Sequence, residues 1–528
     1  MRIALLIICI GSSLIGEAQT RTDRAQLEWG DEFRTMKRIV QKGLVLSDQS
    51  GYYNLVLEGI GSKPVLQKFD NSLRLVQSQE LLLSSDESAL SFKFIQSLGN
   101  KIFAFGGQHD SKTLKYALYY SSINKDTLEK NEDCHLVMEL EYEKTELDFN
   151  SGKFQHVVSK DNAKLLIHYR RPTHHGENER FGFKIYDQDM ELIIEKDVEL
   201  PYPEEHFALE TVKLGIDGTV YIVGKVFDQT RSQTQNGDAN NHFAVVAYYP
   251  DAITGKVYPI SLEEKYISDI QITIQEDLDI VCVGFYSEKG TNSLRGTYYL
   301  KIDRKTASPV DQSVRDFSVE FLNHGLRERK LAKNGKKVIR KENAESYQLE
   351  LSEIITRDDG GAILVGEQSW INMVTTASGG ANGSGSTITT YFYNYLDIFV
   401  VSINPEGYIE WYQKVPKKQI TSNDGGMFSS YGLKVVKNNV FFIFNDHPEN
   451  LFYSQGEPAT FSANKRRFLP MFISIDMNGN VEREALMNQS DDDLYLRPKS
   501  MVGRAKNELI SYGHGKRNHR LARIKFIP

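Results

Sequence analysis

Apolar residues along this chain come in short unbroken runs rather than in alternation. In RDDGGAILVGEQSW, residues 357 to 370, the run from Ala362 to Val365 is entered through acidic residues and two glycines and stops on Gly366. Asp-Gly-Gly supplies positive φ cheaply, and Ile, Leu and Val fit a pleated sheet, so the stretch predicts a turn followed by a buried strand. The unit recurs in SGYYNLVLEG, GNKIFAFGG, DNAKLLIHY, DGTVYIVGK, DLDIVCVGF, NNVFFIFND and KNELISYGH, eight runs in all. Six stop on or near a glycine, at Gly59, Gly106, Gly224, Gly284, Gly366 and Gly513, whereas Tyr169 and Asn445 occupy that place in the others. The spacing is that of repeat architectures built from one supersecondary unit.

Each dry run has companions. A strand precedes it, as in FALETVKLGIDG and YISDIQITIQED, and a hairpin follows, as in VSINPEGYIEWYQKV and ISIDMNGNVEREAL. Asn404 to Gly407 and Asp476 to Gly479 read as hairpin turns, because Pro presets the first corner and Gly tolerates the last. The unit is therefore four antiparallel strands whose second member is apolar on both faces. Such a strand needs cover from both sides, which radial stacking of sheets supplies. The prediction is an all-β fold, a single β-propeller of eight four-stranded blades. Seven is the alternative, because the unit from Ser91 to Leu136 is poorly punctuated after its second strand. The last unit runs out after its third strand, while QLEWGDEF, residues 26 to 33, resembles the outer strand YIEWYQKV of residues 408 to 415. The expectation is that residues 26 to 33 complete the final blade and close the ring.

At this point the chain resembles a family. RDDGGAILVGEQSW followed by YLDIFVVSINPEGYIEWYQKV is similar to the repeat of secreted bacterial β-propeller proteins, roughly DGGxxLxG and then DxxxxKxDxxGxxxW, well over residues 357 to 415 and in degenerate form elsewhere. The resemblance implies a propeller and an exported bacterial protein. That group is functionally mixed, so it carries no active site over.

The start of the chain agrees with export. Arg2, the apolar run Ile3 to Ile10 and the small residues leading to Gly16-Glu17-Ala18 predict a signal peptide over residues 1 to 18, with the propeller over 19 to 528 and the mature protein secreted or periplasmic. A lipoprotein signal at Cys9 is the alternative, disfavoured because bulky Ile8 precedes it. No other run approaches membrane-spanning length, so no transmembrane anchor is expected. Only Cys134 and Cys282 then remain, in unlike settings, which predicts two free cysteines and a fold that stands on its core. A net charge of -7 gives no general attraction to nucleic acid.

Candidate chemistry gathers on one face. In a four-stranded blade, the loops after strands two and four leave on the same side, and there the chain places its long segments. These are HYRRPTHHGENERF, the segment after Val226, the tract from Glu367 to Asp397 with a Gly/Ser-rich loop over 375 to 390, the segment after Asn445, the stretch from Leu136 to Lys153, the basic insertion over 317 to 347, and PKKQITSNDGGMFSSYG. Loops held by a rigid scaffold present binding residues. Arg170, Arg171, His174 and His175, with His168 nearby, could hold an anion or a metal, although solvated loop residues are the simpler reading, as they are for His514 and His519. Asn334-Gly335 between Leu331 and Val338 predicts a type I′ hairpin carrying Arg327, Arg329, Lys336 and Lys337 as a cationic arm. Trp370, Tyr391 and Tyr393 could stack on sugar rings or a peptide, or could simply start the next strand. Asp491 to Asp493 form an acidic loop. HExxH, GxSxG, CxxC and phosphate-cradle motifs are missing, so no catalytic residue, metal or cofactor is assigned. The sequence predicts a non-catalytic binding or scaffolding propeller for a glycan, peptide or envelope protein. The alternative is a carbohydrate-active enzyme, glycoside hydrolase or lyase, with its site at the central channel of that face. The sequence specifies no oligomeric state.

Overall fold

A computed structural model of the chain describes residues 20–34, 39–59, 61–86, 88–141, 154–230, 241–275, 277–288, 294–318, 321–322, 328–333, 336–341, 349–352, 354–357, 359–378, 386–454, 456–463, 468–487, 494–503, 505, 507–515 and 518–527. The signal peptide predicted over 1 to 18, Arg327 and the acidic loop Asp491 to Asp493 lie outside these residues. The regular structure is all-β apart from short 3-10 turns and a helical turn at Phe321 and Leu322, and every strand pairing within a sheet is antiparallel.

Eight sheets of four or more strands follow one another along the described chain. Sheet 1 runs from Ile39–Asp48 to Leu75–Glu80, sheet 2 from Ser91–Leu98 to His135–Glu141, sheet 3 from Gln155–Val158 to Leu192–Pro203, and sheet 4 from Phe207–Leu214 to Lys256–Ile260. Sheet 5 runs from Lys265–Ile274 to Pro309–Asp316, sheet 6 from Leu349–Leu351 to Ile409–Val415 with Gln419–Ser422 added, and sheet 7 from Gly432–Val436 to Val481–Ala485. Sheet 8 joins Tyr495–Leu496, Glu508–His514 and Asn518–Phe526 to Ala25–Trp29 from the other end of the chain.

The dry runs are the second strands of these sheets, and the core shows why they are dry. Ile363 and Val365 pack toward Phe442 and Ile473 of sheet 7, whereas Leu364 between them packs toward Val283 and Phe285 of sheet 5. Successive side chains of a strand point to opposite faces, so a strand covered on both sides has no position that tolerates water. The same holds for Leu165 and Ile167 against sheet 2 and Leu166 against sheet 4. Similar clusters join sheets 4 and 5, sheets 1 and 2, and sheets 7 and 8. The last joins Ile510, Tyr512 and Leu521 of sheet 8 to Tyr52, Val56 and Phe69 of sheet 1. Sheets stacked face to face in a circuit that returns to its start form a β-propeller.

Three details differ from expectation. The stretch 26 to 33 is not one strand: Ala25–Trp29 pairs with Ala522 to Phe526, the chain leaves the sheet at Gly30, and Phe33–Arg34 pairs again with Asn518 and His519. Gly30 is a close approach, since a β-carbon there would stand 2.2 Å from the Leu73 carbonyl oxygen of sheet 1. Leu136 to Glu141, expected in a loop, belong to the outer strand of sheet 2. Residues 375 to 378 and 386 to 390, also expected in a loop, are strand.

Candidate functional site

The third difference creates the most distinctive surface of the molecule. Ala362–Ser378 and Ser386–Ile403 pair continuously from Ala362 with Ile403 to Ser378 with Ser386. Sheet 6 therefore extends beyond the body of the ring as a two-stranded ribbon, on the face where second strands hand over to third strands. The residue types explain it: Val374-Thr375-Thr376 and Ile388-Thr389-Thr390 are β-branched runs placed symmetrically about the glycine-rich center. Register puts Ile371 opposite Tyr393 and Met373 opposite Tyr391, all on one side. Ile371, Met373 and Tyr391 are 60%, 64% and 45% exposed. Trp370 lies on the opposite side, across from Asn394, half-buried. Gln419–Ser422 pairs with Phe392 to Tyr395. Among the described residues, no strand pairs with the other edge of the ribbon beyond Gln368.

The base of the ribbon rests on buried charge. Lys417 Nζ lies 2.6 Å from Glu367 and 2.9 Å from Gln419 Oε1, with the lysine side chain fully enclosed. Ser430 donates to the other Glu367 oxygen at 2.6 Å. Burial pushes the Asp397 carboxyl up to about 6, against the pull of Lys414 and Lys417. Burial pushes Asp446 up to about 6 as well, although Arg483 Nη1 stands 3.3 Å away and Asn450 donates at 2.8 Å. Lys414 is pushed down to about 8 by burial, with Asp397 opposing the shift. Paired, hydrogen-bonded and enclosed charges of this kind fix the geometry of a junction.

The other sequence candidates separate in space. Arg170 forms an ion pair with buried Glu179, its Nε 2.8 Å from the carboxylate. Arg171 holds Asp197 through two nitrogens at 2.7–2.9 Å. Both cations are thus ion-paired with carboxylates of sheet 3. His175 meets Glu205 at 2.8 Å on the exposed hairpin, where Glu177 accepts from the His174 backbone N–H at 3.0 Å. His168, by contrast, is buried in the sheet and lines a groove with His156 and Glu210. Burial, with His156 beside it, lowers its pKa to about 4. Glu328–Lys333 and Lys336–Lys341 form the expected two-stranded hairpin, with Arg329 opposite Arg340 and Lys337 opposite Ala332. Among the described residues, no group of three His, Cys, Asp or Glu side chains is placed to hold a metal.

Sequence reasoning missed Arg497. It is 2% exposed, its guanidinium faces the rings of Tyr512 and Phe428 at 5.3 and 6.0 Å, and Nη2 lies 2.7 Å from His514 Nδ1. No local signal marks it, because its neighbors come from two other parts of the chain, Phe428 and the strand bearing Tyr512 and His514.

No family model matches the chain, and no curated protein does either. Among solved structures, it is similar to prolyl oligopeptidase B from Galerina marginata, at 10% identity over 91% of this chain and 55% of that one, TM-score 0.38. The chain thus spans about half the length of that enzyme. It is also similar to the WD40 domain of SCAP from fission yeast, at 8% identity over 95% and 98% of the two chains, TM-score 0.35. The β-propeller domain of the Trilobed protease from Pyrococcus furiosus matches at 12% identity over 88% and 97%, TM-score 0.32.

Proposed function

We infer that this chain is an exported eight-bladed β-propeller, closed by its N-terminal strand, that binds an extended polypeptide segment of an envelope protein without chemistry. The observation that carries this reading is the ribbon: an apolar row of Ile371, Met373, Tyr391 and Tyr393 beside an edge that no described strand occupies. An unpaired edge offers main-chain hydrogen bonds to an added strand, and alternate side chains supply selectivity. Eight interfaces, each between successive sheets, support the blade number. Export rests on the signal-like residues 1 to 18 and on the resemblance to secreted bacterial repeats.

The test presents the mature protein to a peptide library, a glycan array and a hydrolase substrate panel. Peptide binding that the triple substitution Ile371→Ser, Met373→Ser and Tyr391→Ser abolishes, with unfolding unchanged, is the expected result. Turnover of any substrate would refute a non-catalytic role. Binding confined to glycans would replace the partner. A carbohydrate-active enzyme is the second reading, favored by the raised carboxylates Asp397 and Asp446 on the same face and opposed by their enclosure.

A further inference from the structure

Arg497 poses a problem of charge. It follows the innermost strand of sheet 8, Tyr495–Leu496, and opens a 3-10 turn that touches sheets 1 and 7 as well as the 508–514 strand. A guanidinium this deeply buried normally meets a carboxylate, because an uncompensated charge in a dry interior is costly. No acidic residue among those described pairs with it; its partners are His514 and two aromatic rings. Glu58 acts on the neighboring Tyr512 from sheet 1 but makes no ion pair with Arg497.

Three polar atoms on the same side of sheet 8 lack any partner: Arg497 Nε, the Tyr512 hydroxyl and His519 Nδ1. Tyr512 and His514 alternate with Gly513 on one strand and His519 pairs directly with His514, so all three rings share one face. The Tyr512 and His519 ring centers are 5.4 Å apart, those of His514 and His519 are 4.8 Å apart, and Phe33 from the N-terminal segment covers both Tyr512 and His519 at 5.8 and 6.0 Å. Arg497 Nε can only donate, and the hydroxyl and the imidazole nitrogen can each donate. Burial, reinforced by Arg497, holds the His514 and His519 pKa values down at about 3 and about 4, so both rings are neutral near pH 7 and the arginine supplies the charge. Orphaned donors around one unpaired cation call for a negative guest rather than water alone.

We propose that Arg497, Tyr512 and His519 form an internal binding site for one small monovalent anion of the size of chloride, seated where the first and last sheets close the ring. Such an ion would neutralize the guanidinium and accept from the three donors that lack a partner. It stabilizes the folded state by mass action, because the unfolded chain has no such site.

The test follows thermal unfolding of the full mature chain as sodium chloride replaces sodium gluconate at constant ionic strength. A saturable rise in Tm of about 3 °C is expected for the wild type. Arg497→Met removes the charge while keeping an apolar stem, and the chloride response should vanish. Should that variant not fold, Tyr512→Phe keeps the ring packing and removes one donor, and it should weaken the half-saturation concentration about tenfold, in keeping with the loss of one hydrogen bond to a charged group. A wild-type Tm indifferent to the exchange, or a chloride response unchanged in Tyr512→Phe, would overturn the site. A response to phosphate alone would overturn the monovalent class.

Discussion

The indole of Trp29 lies against Gly513, so close that a β-carbon at position 513 would stand 2.4 Å from Cζ3 and 2.8 Å from Cη2. The two residues belong to opposite ends of the chain and meet in sheet 8, where Trp29 pairs with Ala522 one strand away. Gly513→Ala should therefore cost about 1–3 kcal/mol through overpacking. Trp29→Ala should relieve most of that added cost, making the pair non-additive in urea unfolding. Additive losses would mean that the terminal strand does not sit on the last sheet.

Lys417 and Glu367 make the sharpest case for buried charge. Their side chains are 0% and 5% exposed, so Glu367→Ala leaves an unpaired cation and should cost about 3–5 kcal/mol. Replacing both, as Glu367→Leu with Lys417→Met, should recover much of this in equilibrium denaturation. The contrast separates the penalty of an orphan charge from the net worth of the pair.

His168 should shape the acid limb of stability. Its pKa falls from 6.5 to about 4 on folding, so between those values the unfolded chain binds a proton that the folded chain does not. Its contribution is fully present above about pH 6.5 and is lost as pH falls toward 4, on the order of 3 kcal/mol across the window. Asp397 and Asp446, raised by burial, act in the opposite direction. They are common to wild type and variant, so the comparison of wild type with His168→Gln isolates the histidine. The variant should show a flatter decline of the urea midpoint between pH 6.5 and 4.

The two described cysteines report on the integrity of the ring. Cys134 and Cys282 are both free and buried, and burial pushes both thiols up. Native protein should react with a thiol reagent only as fast as it opens, whereas denatured protein should label at both positions. Rapid native labeling of Cys282 would show that the interface between sheets 4 and 5, to which it belongs, is open in solution.

Much of the fold could be read without coordinates. The dry runs at Leu165 to Ile167 and Ile363 to Val365 announced strands covered on both faces, because neither side of such a strand can meet water. The turn at Asn404 to Gly407 was equally plain, since Gly407 sits at positive φ and the Gly407 N–H returns to the Asn404 carbonyl at 3.0 Å. The ribbon was misread. Gly, Ser and Thr compose a flexible loop and the tip of an exposed hairpin alike, and only the match of Val374-Thr375-Thr376 with Ile388-Thr389-Thr390 hinted at strand pairing.

The sequence by itself determined the unit, its turns and its dry strands, because these depend on residues adjacent in the chain and on the need to keep apolar side chains from water. Only the tertiary structure decided which cations are satisfied. Arg170 and Arg171 looked available in the sequence and prove to be paired with Glu179 and Asp197, whereas Arg497 gave no sign and is enclosed with no acid pairing it among the described residues. The reason is physical: the state of a buried charge is set by groups brought together across sheets, and no local pattern records them.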